Sequence, residues 1–106
     1  MVLLQAGEKL IMQDVATHEK NGKGTLILTN HRLVFEQTTG MISKKTNTTM
    51  NYSLSVIQEV RTEGILFKQV CVEYSNDGAI FCHKFKGLAH AQWVPAIKSA
   101  IQNRSA

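Results

Sequence analysis

The groups in this chain that could do chemistry are few and widely spaced. Cys71, Cys82, His31 and His83 show neither a Cys-x-x-Cys nor a His-x-x-x-His spacing, so no metal site is expected. Glu59 and Glu63 stand four apart, but on a strand or bend that spacing makes no acid–base pair. No glycine-rich phosphate loop and no nucleophile motif is present. His83 lies between Phe81 and Phe85 and reads as a core or rim histidine rather than a catalytic one. The residues therefore describe no enzyme and imply no cofactor; the expected task is binding.

Two sets of residues suit that task. Lys20, Lys23, Arg32, Lys44 and Lys45 form the main basic set, which would suit an anionic partner such as a lipid headgroup. The same residues also fit an ordinary solvated loop, since lysine is mostly exposed in any fold. Gly64-Ile65-Leu66-Phe67 is more apolar than loop tips usually are. Ile65, Leu66 and Phe67 read either as a tip that meets a membrane or a protein, or as the start of a sixth strand. Each basic residue near an anionic membrane is worth about 1 kcal/mol. Four of them supply roughly 4 kcal/mol, about millimolar affinity, so docking would also need a shaped pocket, an inserted tip or avidity.

With 106 residues, the chain is expected to form one domain spanning 1–106. Apolar residues make up 43% and charged residues 19%, an ordinary balance for a folded domain. No run approaches the roughly 18 apolar residues of a membrane-spanning helix. The start, Met-Val-Leu-Leu-Gln, lacks the basic region of a signal peptide, so a cytoplasmic location is expected, with peripheral membrane contact. The net charge of +4 is spread evenly, with six basic and four acidic residues in 1–53 and the same numbers in 54–106. A duplex-binding domain carries a denser basic stripe, so nucleic acid is not the expected partner.

Turn chemistry divides the chain into short strands. Residues 9–19 alternate loosely, with Ile11, Gln13, Val15 and Thr17 on one face, and read as a first strand. Lys20-Asn-Gly-Lys-Gly24 supplies a turn. Residues 24–29 and 32–36 form a hairpin across Asn30-His31, where Asn tolerates positive φ; Leu26, Leu28, Leu33 and Phe35 share one face. Residues 37–47 form a polar loop, and 48–54 a fourth strand through Met50, Tyr52 and Leu54. Leu54, Ile57 and Val60 fit a short helix as well as a strand by periodicity.

Residues 67–74 and 79–86 form a last hairpin across Ser75-Asn-Asp-Gly78. That turn makes Cys71 and Cys82 cross-strand neighbours on the outward face. A disulfide is geometrically conceivable, but the expected cytoplasmic setting favours free thiols. After Gly87 the period becomes helical, with Ala89, Trp93, Ile97, Ala100 and Ile101 in one apolar stripe. Pro95 is costly inside a helix, so the helix is expected to start late or to kink before it.

The segment Gly24-Thr-Leu-Ile-Leu-Thr-Asn-His-Arg-Leu33 resembles the second and third strands of PH-like domains of the GRAM and GLUE type. The match looks most like the GLUE domain of the endosomal ESCRT-II complex. The spacing Leu54-x-x-Ile57-x-x-Val60 also resembles GRAM domains, where it crosses a strand, a bend and the next strand. The resemblance implies a mainly β fold: a seven-stranded antiparallel sandwich or partly open barrel, built as two roughly orthogonal sheets, with one C-terminal amphipathic helix plugging the open corner through Trp93. It places the first and third loops together, bringing Lys20 and Lys23 near Lys44 and Lys45.

The resemblance further implies a non-catalytic adaptor that recruits its protein to phosphoinositide-bearing or other anionic membranes, as in endosomal sorting. The second strand carries no charge, so strands match but no lipid-binding motif does. The alternative within the same family is protein recognition, with ubiquitin or a partner subunit as the ligand.

Overall fold

A computed structural model describes residues 4–20, 22–39, 45–64, 66 and 68–103. Among them are seven strands: β1 (Leu10–His18), β2 (Gly22–Thr29), β3 (Arg32–Thr39), β4 (Lys45–Ser53), β5 (Ile57–Glu63), β6 (Gln69–Asn76) and β7 (Ala79–Lys86). A single 3-10 turn, Leu54–Val56, joins β4 to β5, and one helix, α1 (His90–Gln102), follows β7. The mainly β class with one C-terminal helix is therefore as expected. The periodicity of Leu54, Ile57 and Val60 resolves into the 3-10 turn followed by β5, with all three residues buried.

All seven strands belong to one antiparallel sheet of order β4-β3-β2-β1-β7-β6-β5, rather than to two separate sheets. The link is the β1–β7 junction, where Thr17 pairs with Lys86 and His18 with Phe85. The Glu19 N–H extends it by one bond to the Lys84 carbonyl, at 3.0 Å. The edges β4 and β5 do not pair, so the sheet stays open.

One face of the sheet carries the core. Leu26 and Leu28 of β2, Leu33 and Phe35 of β3, and Val70 and Val72 of β6 meet Phe85, Trp93 and Ile97 in a single buried cluster. Helix α1 packs on β5, β6 and the 3-10 turn. Its buried stripe is Trp93, Ile97 and Ala100 with half-buried Ile101, while Ala89 is exposed as the N-cap and Leu88 is buried instead. Contrary to expectation, α1 starts at His90 and runs through Pro95. Proline deletes the N–H that would reach the Ala91 carbonyl. Both residues are exposed, so solvent satisfies that carbonyl while Trp93 and Ile97 anchor the other side.

The first strand keeps its expected alternation, with Ile11, Gln13, Val15 and Thr17 on one face, and that face is the exposed one; its register with β2 shifts between Leu10 and Met12. Met12, Asp14, Ala16 and His18 take the core side, and Ile11 and Val15 stand 45% and 53% exposed. The Trp93 indole N–H donates to Asp14 Oδ2 at 3.4 Å, and Asp14 itself stays exposed although it belongs to the inward series. In the β2–β3 turn, Asn30 has no positive φ; it clamps the N-terminal segment with both side-chain atoms, as described below. Positive φ occurs instead at Asp77 (52°) and Gly78 (82°), between paired Asn76 and Ala79, so the hairpin turn lies one residue later than the expected Ser75–Gly78.

Cys71 and Cys82 form a disulfide, which overturns the expectation of free thiols. They are not directly opposed: Cys71 faces Lys84 and Cys82 faces Glu73. This diagonal places their Cα atoms 6.3 Å apart, within reach of a bridge across one hairpin.

Gly24 marks the tightest backbone approach. A Cβ there would strike the Glu36 carbonyl oxygen and come within 2.7 Å of the Phe35 ring. The carbonyl belongs to the paired strand and cannot rotate aside. Gly24→Ala should therefore cost about 1–3 kcal/mol, read as a lower urea midpoint with unchanged slope.

Candidate functional site

The predicted basic set divides when the strands are placed. Lys20 lies in the β1–β2 turn and Lys23 early in β2, at the same end of the β1–β4 meander as the β3–β4 connection. Lys45 opens β4 at that end, paired with Thr39, and Lys44 lies outside the described residues. Arg32 begins β3 at the opposite end, seven residues or about 23 Å from Thr39.

Arg32 is built into the fold. Its Nε donates to Glu8 Oε2 at 2.7 Å and its second amino nitrogen to Oε1 at 3.1 Å. The Thr29 hydroxyl donates to Glu8 Oε2 at 2.6 Å, and the Gln5 N–H donates to Oε1 at 2.8 Å. Thr29 Oγ1 accepts in turn from the N–H groups of His31 (3.1 Å) and Arg32 (3.0 Å). Asn30 completes the staple: its Oδ1 accepts the Lys9 N–H at 2.7 Å and its Nδ2 donates to the Gly7 carbonyl at 3.2 Å. The Glu8 side chain is fully buried and that of Arg32 12% exposed. Hydrogen bonding from Arg32 overcomes the opposing effect of burial and lowers the Glu8 carboxyl to about 2.

Two further cations are also engaged. Arg61 bridges Glu63 (2.7 Å), Glu73 (2.9 Å) and Glu59 (3.8 Å), and Lys84 reaches Glu63 at 3.2 Å. These five strand residues and the disulfide share the outer side of β5, β6 and β7, where each charge is met by an opposite one.

A different group remains available. Leu66, Lys68, Lys86, Gly87, Leu88 and His90 line an open groove of about 530 Å³ between the β5–β6 and β7–α1 connections. Leu66 projects at 86% exposure, the highest of the large exposed apolar side chains described. Lys68 and Lys86 are both exposed, and among the described residues neither makes an ion pair. Among the described residues, no acidic one lines the groove. Leu66 was expected as a contact residue; Ile65 and Phe67 lie outside the described residues. Sequence reasoning missed Lys68, Lys86 and His90 as a group, because two strands and two connections separate them and only the path through β6, β7 and α1 brings them together. A smaller cleft of about 180 Å³, lined by Ile11, Asn30, Ala96, Ser99, Ala100 and Asn103, contains no charge.

The third constellation is a line of rings on the inner side. His18 Nε2 lies 2.8 Å from His83 Nδ1, and His83 Nε2 lies 3.3 Å from the Tyr52 hydroxyl. His83 stacks flat on Tyr74 (4.8 Å, 4°), which also stacks on Tyr52 (4.4 Å) and Phe81 (5.6 Å). Burial pushes both imidazoles down, His83 to about 4, and pushes the Tyr52 hydroxyl up to about 12. His83 was read as a core or rim residue, which fits its half-buried place. Its partners on β1, β4 and β6 had no sequence signal, since they are 65, 31 and nine positions away.

No family model matches the sequence, and no curated protein matches it significantly.

The Glu8 staple makes a quantitative prediction. Removing one partner of a buried ion pair strands the other and costs about 3–5 kcal/mol. Glu8→Ala should lower stability by that amount, and Glu8→Leu with Arg32→Leu should restore most of it. Because the folded carboxyl is depressed from 4.5 to about 2, its contribution is complete above pH 4.5 and lost as pH falls through 2. Denaturant titrations across that window should show the loss in the native chain and not in the double variant.

Proposed function

We propose that this chain is a non-catalytic, PH-like module of GRAM or GLUE type that docks peripherally on anionic, phosphoinositide-bearing membranes. The observation that carries this reading is the groove that sets exposed Leu66 beside Lys68, Lys86 and His90 without an acidic neighbour among the described residues. The mainly β architecture with one C-terminal helix is compatible with this reading, whose family part rests on the resemblance of the Gly24–Leu33 segment. Such a surface suits a membrane because its two requirements differ. Leu66 gains by leaving water, and the lysines gain by approaching lipid phosphates.

Two lysines contribute about 2 kcal/mol near an anionic surface. Burying a leucine side chain adds about 2 kcal/mol. The sum corresponds to about millimolar affinity for one module, so recruitment works through avidity, with Lys20 and Lys23 as further contacts. No described helix is long and apolar enough to cross a membrane.

A second reading rests on Ile80 and Phe81, which stand 64% and 47% exposed at the start of β7. An apolar pair on a hairpin suits a protein partner such as ubiquitin or another subunit.

Co-sedimentation with phosphatidylserine and phosphoinositide vesicles at two salt concentrations tests the proposal. Lys68→Glu with Lys86→Glu should weaken binding about thirtyfold or more, and Leu66→Ser should weaken it with less change in salt dependence. Binding lost only in Lys20→Glu/Lys23→Glu or Lys44→Glu/Lys45→Glu would move the docking face to the other loops. No pelleting with any vesicle, together with ubiquitin or partner binding sensitive to Phe81→Ser, would replace the membrane reading by the protein one.

A further inference from the structure

The β1–β7 junction is the narrowest link in the sheet, and a pair of histidines sits on it. Only Thr17↔Lys86 and His18↔Phe85 are in register there, with the Glu19–Lys84 bond beyond. By contrast, β6 and β7 are in register from Val70↔Phe85 to Asn76↔Ala79. The halves β4-β3-β2-β1 and β7-β6-β5 thus depend on side chains as well as on backbone pairing.

The proton positions in this pair follow from one backbone donor. The Lys20 N–H points at His18 Nδ1 at 3.2 Å, so that nitrogen must accept and carries no proton. Neutral His18 then has its proton on Nε2 and donates to His83 Nδ1. That nitrogen must also be bare, which places the His83 proton on Nε2, directed at the Tyr52 oxygen. The hydrogen bonds therefore run in one direction, from the β1–β2 turn through β1 and β7 to β4. Both free sites for an added proton are the two Nδ1 atoms, and each already faces an N–H group.

We propose that His18 and His83 form a proton-operated latch across the β1–β7 junction. With both rings neutral the chain of donors is complete and the two halves of the sheet are held together. A proton on His18 Nδ1 sets it against the Lys20 N–H, and one on His83 Nδ1 sets it against the His18 N–H. Either event breaks the line at the junction.

The surroundings reinforce the arrangement. Phe35 of β3 and Phe85 of β7 flank the His18 ring at 5.9 and 5.2 Å, and Tyr74 of β6 covers His83. The charged groups acting on the pair are Glu19, which favours protonation, and Lys20, which opposes it; Tyr52 and Tyr74 are the neutral titratable neighbours. Because the folded rings bind protons more weakly than a free imidazole at 6.5, the latch is closed above that value. It opens as pH falls toward 4.

Histidine-selective nitrogen–proton correlation spectra of the intact chain test this directly. At pH 7 both rings should be Nε2–H tautomers with bare Nδ1. On acidification they should protonate below the ordinary imidazole range, and the protection factor of the Glu19 amide should fall about tenfold or more as they do. The Asn103 amide, bonded within the helix end, should keep its protection. A Nδ1–H tautomer in either ring, or a charged ring at pH 7, overturns the proposal. So does protonation that leaves Glu19 protected. In His18→Phe, which keeps a ring between Phe35 and Phe85, His83 should titrate about one unit higher; an unchanged titration would also overturn it.

Discussion

An open sheet must seal its concave face with side chains, and that requirement organises this molecule. The edges β4 and β5 are linked by the 3-10 turn but never pair, so backbone bonds alone cannot close the interior. Two side-chain closures act instead. On one side α1 lays Trp93, Ile97 and Ala100 against β5 and β6, with the indole tied to Asp14 of β1. On the other, His18, His83 and Tyr52 link β1, β7 and β4. The first closure is mainly apolar and independent of protons. The second is polar, directional and sensitive to them.

The same division runs through the cations. A net charge of +4 suggests a broadly basic surface, yet the structure assigns the positive groups distinct tasks. Arg32 belongs to the buried knot that ties residues 5–9 to the β2–β3 turn, and Arg61 and Lys84 belong to a carboxylate network on the outer strands. Arginine suits the first place because its planar fork meets both Glu8 oxygens at once. The lysines proposed for docking lie apart from both groups, Lys20 and Lys23 at one end and Lys68 and Lys86 at another. Counting charges along the chain could not separate these groups, since the separation depends on which carboxylates lie across a strand or a turn.

Where local chemistry decides the structure, the sequence was legible. The Asp77-Gly78 turn, the paired leucines of β2 and β3, and the helical stripe around Trp93 all follow from short-range rules. The alternation of β1 was legible, with Ile11, Gln13, Val15 and Thr17 on one face, but not that this face points outward, since the apolar Ile11 and Val15 are exposed while Ala16 and His18 are buried. Pro95 misled because its cost was judged for an isolated helix; here a packed indole and isoleucine hold the helix on either side of it. The disulfide was hidden by an assumption about cellular setting, although the hairpin geometry already allowed it. For the candidate site, Leu66 was legible as an apolar residue in a loop. Its partners Lys86 and His90 were not, because only the tertiary path places them beside it.

Lys86 joins the two proposals. It pairs with Thr17 in the short β1–β7 junction, one position from the His18↔Phe85 pair, and its side chain lines the Leu66 groove. A surface that holds Lys86 also bears on the strand segment the histidines secure. Release of the junction takes away the β1 pairing that positions Lys86, while Lys68 before β6 and His90 on α1 keep their own supports. The groove would then lose its fixed geometry without losing any charge. By linkage, a ligand that binds the groove only in its closed form must oppose protonation of the histidines by the same free energy with which protonation opposes the ligand. On these proposals, anion docking and proton uptake compete through one strand, and the size of that competition is set by how firmly the junction holds Lys86.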